Sequence, residues 1–226
     1  MQYLSGMAPP RSRSAEPATR TERRKARTRQ KLIDAARGFL AGDKHATVSI
    51  QDITDAADVG FGSFYNHFST KAELFEAAVS EVLEELGRLL DELSSDVDDP
   101  AMAFAQSLRL AARLGVARPE TAQVLVRHGM AYMDADAGLA PRALRGIEAG
   151  VASGRFQVGD PRLALATTAG ALLAVLHVSL VNPEGVTDAT CDEMAELLLR
   201  LLGVPLDEAR EIATAPLPDA SAVSRV

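Results

Sequence analysis

From Thr70 to Leu93 an apolar residue recurs every three or four positions: Leu74, Ala78, Val82, Leu86, Leu90 and Leu93. That period belongs to one face of an α-helix. Thr70, with Glu73 three residues on, supplies a capping box at the start, and the acidic loop Ser94 to Asp99 marks the end. The rest of the chain is punctuated in the same way. Asp99-Pro100, Pro119, Pro141 and Asp160-Pro161 predict helix starts, with ends near Leu114, Met133, Gly154 and Val181. Thr187 opens a helix carrying Met194, Leu197, Leu198, Leu201 and Leu202, which Gly203 and Pro205 stop. Asp207 is expected to cap a short last helix. No stretch shows a convincing alternation of period two. Aromatic residues are 4% of the chain and Trp is absent, so the core must be built from Ala, Leu and Val, which favours helices. The expected fold is all-α.

At 226 residues the chain holds one or two domains with a sizeable core. Cys191 is the only cysteine, which rules out an internal disulfide and a cysteine metal cluster. No uninterrupted apolar run reaches the ~18 residues of a membrane span. Met1 to Ala8 lacks the apolar centre of a signal peptide, so the expected location is cytoplasmic. The net charge of −7 is unevenly spread. Residues 11–31 hold nine basic and two acidic side chains, a net +7, which leaves −14 on the remainder. A basic end on an acidic body points to a polyanion partner, most readily nucleic acid.

Residues 1–18, with Pro9, Pro10 and Pro17, read as a disordered basic arm. Thr19 and Glu22 form a possible capping box for a helix to about Ala41, striped by Leu32, Ala36, Phe39 and Leu40, with Gly42 as a stop. Ser49, with Asp52 three residues on, caps a short helix whose Ile50, Ile53 and Ala57 share a face. Asp58-Val59-Gly60 breaks it, and a second short segment runs from Gly62 to Phe68. Two short helices on a tight turn behind a basic helix describe a helix-turn-helix module. Gly60 and Gly62 allow close backbone approach. Ser63, Tyr65, Asn66 and His67 supply hydrogen-bonding groups.

The stretch Thr47 to Phe75, TVSIQDITDAADVGFGSFYNHFSTKAELF, resembles the tetracycline-repressor (TetR) family of bacterial transcription regulators. The resemblance implies that Thr47 and Ser49 touch phosphates at the start of the first short helix. It implies that Gln51, Ser63, Asn66 and His67 face the major groove, and that Tyr65 and Lys71 hold the DNA backbone. Phe39, Ile53, Val59, Phe64, Phe68 and Phe75 read as core. Asp58 stands where the family often has the turn glycine, a position that Asp tolerates. Gly60 and Phe61 replace a common cap and a common polar residue.

The resemblance also implies a larger helical domain that binds a small effector and forms a homodimer. The expected division is an arm 1–18, a helix-turn-helix domain 19–68, a ligand-binding and dimerisation domain 69–215, and a flexible tail 216–226. Ala166, Gly170 and Ala174 form a small-residue ridge on a helix apolar all round, suited to an interface or a core. Gly146, Gly150 and Gly154 recur every four residues, read as either close packing or mobility. Met102, Phe104, Arg127, His128, Tyr132 and His177 are the candidate effector contacts, with Met130 and Met133 beside them. No ligand set with metal spacing and no cofactor motif is found. The expected function is a ligand-responsive, operator-binding regulator, and the resemblance alone makes it a repressor. The alternatives are a DNA-binding or anchoring protein without sequence preference and a helical enzyme, the latter without a nucleotide loop, nucleophile elbow or zinc-type His pair.

Overall fold

The computed structural model describes residues 19–40 and 47–218. The expected arm 1–18, the stop at Gly42 and the tail beyond Leu217-Pro218 lie outside the described residues. Among the described residues the chain is helical throughout, without strands: α1 (Arg20–Leu40), α2 (Ile50–Ala56), α3 (Phe61–Phe64), α4 (Lys71–Leu93), α5 (Pro100–Ala117), α6 (Pro119–His128), α7 (Leu139–Ala152), α8 (Pro161–Val181), α9 (Asp188–Leu201) and α10 (Leu206–Thr214). A 3₁₀ turn, Gly129–Tyr132, extends α6.

Local chemistry sets most of these bounds. Ser49 and Asp52 form a complete capping box at α2. Thr70 accepts the amide of Glu73 at α4, while the Glu73 carboxylate takes the amide of Ser69. Asp99 and Asp160 cap α5 and α8, each followed by proline at the first helical position. Two starts differ from expectation. α7 begins at Leu139, before Pro141, because Gly138 turns the chain with φ +92° and gives its amide to Glu84 at 3.0 Å. Pro141 then sits within the first turn, where a missing N–H costs no helical bond. α10 begins at Leu206 after Pro205, so Asp207 lies inside its first turn and is not the cap.

α4 is the axis of the molecule. Its stripe of Leu74, Ala78, Val82, Leu86 and Leu90 is buried, and each Leu or Val contributes roughly 1.5–3 kcal/mol by leaving water. The front of α4 packs on α1, and further along it meets α5, α6 and α7. One apolar core therefore runs from Leu32, Phe64 and Phe68 through α4 to Leu110, Leu125 and Leu176. A second core gathers Ala105, Ile147, Phe156, Leu165, Met194, Leu198 and Ile212 from α5 and α7–α10. Arg109, 4% exposed, ties α5 to this second body. Its Nε donates to Asp192 at 2.7 Å and its guanidinium also reaches the carbonyl of Ala215. Arg113 donates to the same Asp192 oxygen at 2.7 Å.

Averaged over 18 residues, α8 is long and apolar enough to cross a membrane, although no uninterrupted run is. One face packs on α5, α6 and α7. The other presents Leu163, Ala166, Gly170, Ala174, His177, Val178 and Val181 at the surface, beside Leu197 and Leu201 of α9. The small-residue ridge lies on the exposed side of α8, not in its own core.

Candidate DNA-reading face and ligand cavity

The α2–α3 turn is made by Asp58, the only non-glycine residue with positive φ (+52°) among the described residues. Its carboxylate is almost fully exposed and pairs with Lys31 of α1 at 3.3 Å. α3 is one turn long. Beyond Phe64 the chain tightens, with the His67 amide donating to Phe64 at 2.9 Å and Asn66 to Ser63 at 3.3 Å. Asn66 and His67 therefore sit on turns, not on the longer helix expected to Phe68. Phe64 and Phe68 are buried and anchor this segment, while Phe61 (47% exposed) and Tyr65 (55%) stand outward, edge to face with centroids 5.8 Å apart.

The sequence candidates fall into two groups on this surface. Thr47, Gln51, Tyr65 and Asn66 are exposed, and Ser63 is half-buried. Gln51 also donates to Asp55 at 2.7 Å, and Ser49, Lys71 and His67 have polar groups bonded or shielded within the protein. The Ser49 hydroxyl donates to Asp52 at 2.6 Å and accepts the Asp52 amide. Lys71 is half-buried and donates to the carbonyl of Val48 at 2.9 Å, fastening the start of α4 to the start of α2. His67 is half-buried, with Nδ1 shielded from water and without a hydrogen-bond partner. Burial, then the charges of Lys25 and Arg29, push its pKa below the usual histidine value. Sequence reasoning left out of the site a groove that the fold completes. Arg24, Arg27, Thr28 and Lys31 of α1 line it, facing Asp58, Val59, Gly60 and Ser63. The period of α1 puts 24, 27, 28 and 31 on one face, so the signal was present.

A cavity of about 470 Å³ lies in the body, lined by α4, α5, the α6 turn, α7 and α8. That is within the range of small-molecule sites. Leu83, Leu90, Phe104, Leu108, Met133, Leu172 and Leu173 give it apolar walls. Ser94, Ser107, Tyr132 and Thr168 supply hydroxyls. Of the expected effector contacts, Phe104 and Tyr132 line it, the Tyr132 hydroxyl donating to the carbonyl of Glu76 at 3.1 Å. Four candidates fall elsewhere. His177 is exposed on α8, because the cavity takes the opposite face of that helix. Arg127 is exposed on α6, Met102 packs into the second core, and His128 is half-buried outside the lining.

Arg142 of α7 crosses the cavity wall to α4. It donates to both Glu84 oxygens at 2.6 and 2.8 Å, to Asp91 at 2.7 Å and to the carbonyl of Gly138 at 2.8 Å. Gly87 makes the room, since a Cβ there would stand 2.9 Å from Arg142 Cδ. The Arg142 hydrogen bonds hold the Glu84 carboxyl down at about 2. The next residue along, Glu85, receives a two-pronged bond from Arg37 of α1 at 2.7 and 2.8 Å, with Glu81 one turn back at 3.7 Å from the same guanidinium.

A helix-turn-helix face at one end and a largely apolar cavity in a helical body define a two-part regulator, one part for DNA and one for a small ligand. Residues 32–78 match the model for bacterial regulatory proteins of the tetR family, and residues 99–215 match the tetracyclin repressor-like C-terminal domain. The solved structure of RolR in complex with resorcinol is 33% identical, covering 88% of this chain and 98% of that one, with a TM-score of 0.64. SmeT, the repressor of the multidrug efflux pump SmeDEF of Stenotrophomonas maltophilia, shares the fold at 22% identity and a TM-score of 0.66, covering 85% of this chain and all of SmeT. The transcriptional repressor DhaR of Mycobacterium sp. (strain GP1) is 32% identical over 79 residues, 35% of this chain and 40% of DhaR, so the chain spans well under two thirds of that relative. The chain belongs to the TetR family of bacterial regulatory proteins. Its relatives here are transcription regulators, not enzymes.

Proposed function

We propose that this protein is a cytoplasmic, non-catalytic repressor that grips a palindromic operator as a homodimer and is released by a small molecule entering the α4–α8 cavity. Residues 19–68 act as the DNA-binding unit and 69–215 as the effector and dimer unit, joined through α4. The observation that carries the reading is the position of α4. Its Glu84 and Asp91 bond to the cavity arginine, Arg142, while its Glu81 and Glu85 bond to Arg37 of the basic helix α1. Whatever shifts the cavity wall shifts the DNA-reading unit.

At the DNA end, the α1 groove takes a phosphate run, and the exposed side chains of α3 and its following turn enter the major groove. Phe61 is an apolar tip where the family commonly has a polar one, and thymine's methyl is the apolar group a major groove offers it. Dimerisation uses the exposed ridge of α8 with Leu197 and Leu201 of α9. Small residues there let two helix pairs approach closely as a four-helix interface. RolR's ligand supports an effector of similar size, a small aromatic ring bearing hydroxyls.

The test begins with selection of operator sequence from random duplexes and a thermal-shift screen for ligands. Ligand affinity is then measured with and without operator. Reciprocity requires DNA to weaken ligand binding by the factor by which ligand weakens DNA binding, on the order of 5–150-fold. Equal ligand affinities overturn the effector reading. Near-equal affinity for all duplexes, with steep salt dependence, favours a DNA binder without sequence preference.

A further inference from the structure

Among the described residues that line the cavity, Arg142 is the one cation, and it is largely committed to partners of its own. Arg142 directs four of its five N–H bonds to Glu84, Asp91 and the Gly138 carbonyl. Gly87 seats the arginine stem, so the guanidinium cannot swing inward without leaving a fitted slot. The charges at this wall do not cancel. Arg142 and, from the outer side of α4, Arg88 offset Glu84 and Asp91, and Asp98 adds a further carboxylate at the lining that leaves the balance negative. An entering anion would meet excess negative charge and no second cation among the described lining residues, in a space walled mainly by apolar side chains with a few neutral hydroxyls. Burying an unpaired charge there is strongly unfavourable.

The hydroxyls are arranged differently. Ser94 and Ser107 share one hydrogen bond at 3.0 Å, which uses one of their two protons. Thr168 is buried and spends its proton on the carbonyl of Ala164 at 2.8 Å, which leaves its oxygen able to accept. The cavity thus offers a neutral acceptor from α8, a hydroxyl pair from the α4–α5 corner and an apolar slot between them.

Resting on the effector reading above, we propose that the cavity selects by charge: it takes neutral, hydroxyl-bearing ring compounds and rejects their carboxylate counterparts. The specificity device is the Arg142–Glu84–Asp91 clamp, which removes from the ligand the one group that could hold an acid.

The experiment uses the full-length protein at pH 7 with two probes of similar size, resorcinol, which is neutral, and 3-hydroxybenzoate, which is ionised. Isothermal titration and thermal shift should show resorcinol binding at least tenfold more tightly. Carboxylate binding as tight as or tighter than resorcinol overturns the charge proposal and leaves the effector cavity standing. Absence of binding by resorcinol and by a wider panel of neutral phenols overturns the effector reading, and the proposal with it. A second arm uses Glu84→Gln, with folding checked by circular dichroism. Releasing part of the guanidinium should raise 3-hydroxybenzoate affinity about tenfold or more relative to the parent. A folded variant that still rejects the acid shows that the clamp is not the discriminator and overturns the proposal.

Discussion

Three glycines spaced four apart on α7 and its exit give one substitution three different expected outcomes. Gly146 is exposed within the helix, with nothing within 4 Å of an added Cβ. Gly146→Ala removes backbone freedom from the unfolded chain without a clash, for a gain of about 0.4–1 kcal/mol. At Gly150 the Phe156 ring lies against the Cα and overlaps where a Cβ would stand. Phe156 is 2% exposed and is itself held edge-on by Phe104 at 5.7 Å, so it has nowhere to retreat. Overpacking of this kind costs about 1–3 kcal/mol, and the severe overlap places it at the upper end, so Gly150→Ala should lose about 2 kcal/mol even after the helix-propensity gain. Gly154 has open space but φ +77°. Alanine in that left-handed region costs roughly 1–2 kcal/mol. With about 2–4 °C per kcal/mol for a chain of this size, melting should rise by roughly 1–4 °C for the first variant. It should fall by roughly 4–8 °C for the second and roughly 2–8 °C for the third. Urea melts of the purified protein check the order. Equal losses at all three positions would refute the assignment of a separate cause to each glycine.

Other outcomes follow from the same contacts. Tyr65→Phe should weaken operator binding by about 1 kcal/mol or more while leaving dimerisation unchanged; parental affinity in a gel-shift titration removes the Tyr65 hydroxyl from the DNA contacts. His67 is held neutral in the free fold, so its contribution to stability is present above the unfolded value near 6.5 and is lost as pH falls through its lowered folded pKa. DNA phosphates oppose that depression, so operator affinity should rise from pH 7.5 to 6, and His67→Gln should flatten the rise; identical profiles for the two proteins argue against a DNA-facing histidine. Asp192→Ala strands Arg109 in the core and should cost on the order of 3 kcal/mol, read by urea denaturation.

What could be read in the sequence was whatever chemistry acts within a few residues. The Ser49–Asp52 box and the Asp-Pro starts of α5 and α8 are decided by neighbours and stand where the spacing puts them, and the left-handed turn at Asp58 stands where the family resemblance puts a turn glycine. α8 shows the opposite case. Its apolar residues surround the axis, so periodicity cannot say which face turns inward, and His177 was assigned to the cavity side when it lies on the exposed one. The Arg142 clamp was invisible for a related reason: its partners lie more than 50 residues away. Nothing local distinguishes Arg142 from Arg145 on the same helix. Gly138, whose φ starts α7 early, likewise depends on Glu84 across the fold.

The pairing of charges on α4 also explains why this helix can act as a lever when both of its ends are firmly packed. Glu81 and Glu85 lie one turn apart and face α1, while Glu84 and Asp91 lie two turns apart and face α7. The two sets alternate within about three turns, so they sit on different sides of one short rigid rod. A rod held by apolar side chains alone resists rolling only through the fit of its packing, since dispersion contacts are not directional. Two-pronged arginine–carboxylate bonds are directional. Rolling α4 to relieve a crowded cavity therefore moves Glu81 and Glu85 with it, and Arg37 must follow or lose its partners. Arg37 lies on the helix that lines the basic groove, so a displacement of the cavity wall is delivered to the surface that meets DNA. In the proposed homodimer, reading two half-sites about 34–36 Å apart, the same displacement in both subunits would change the spacing between the reading faces and spoil both contacts together.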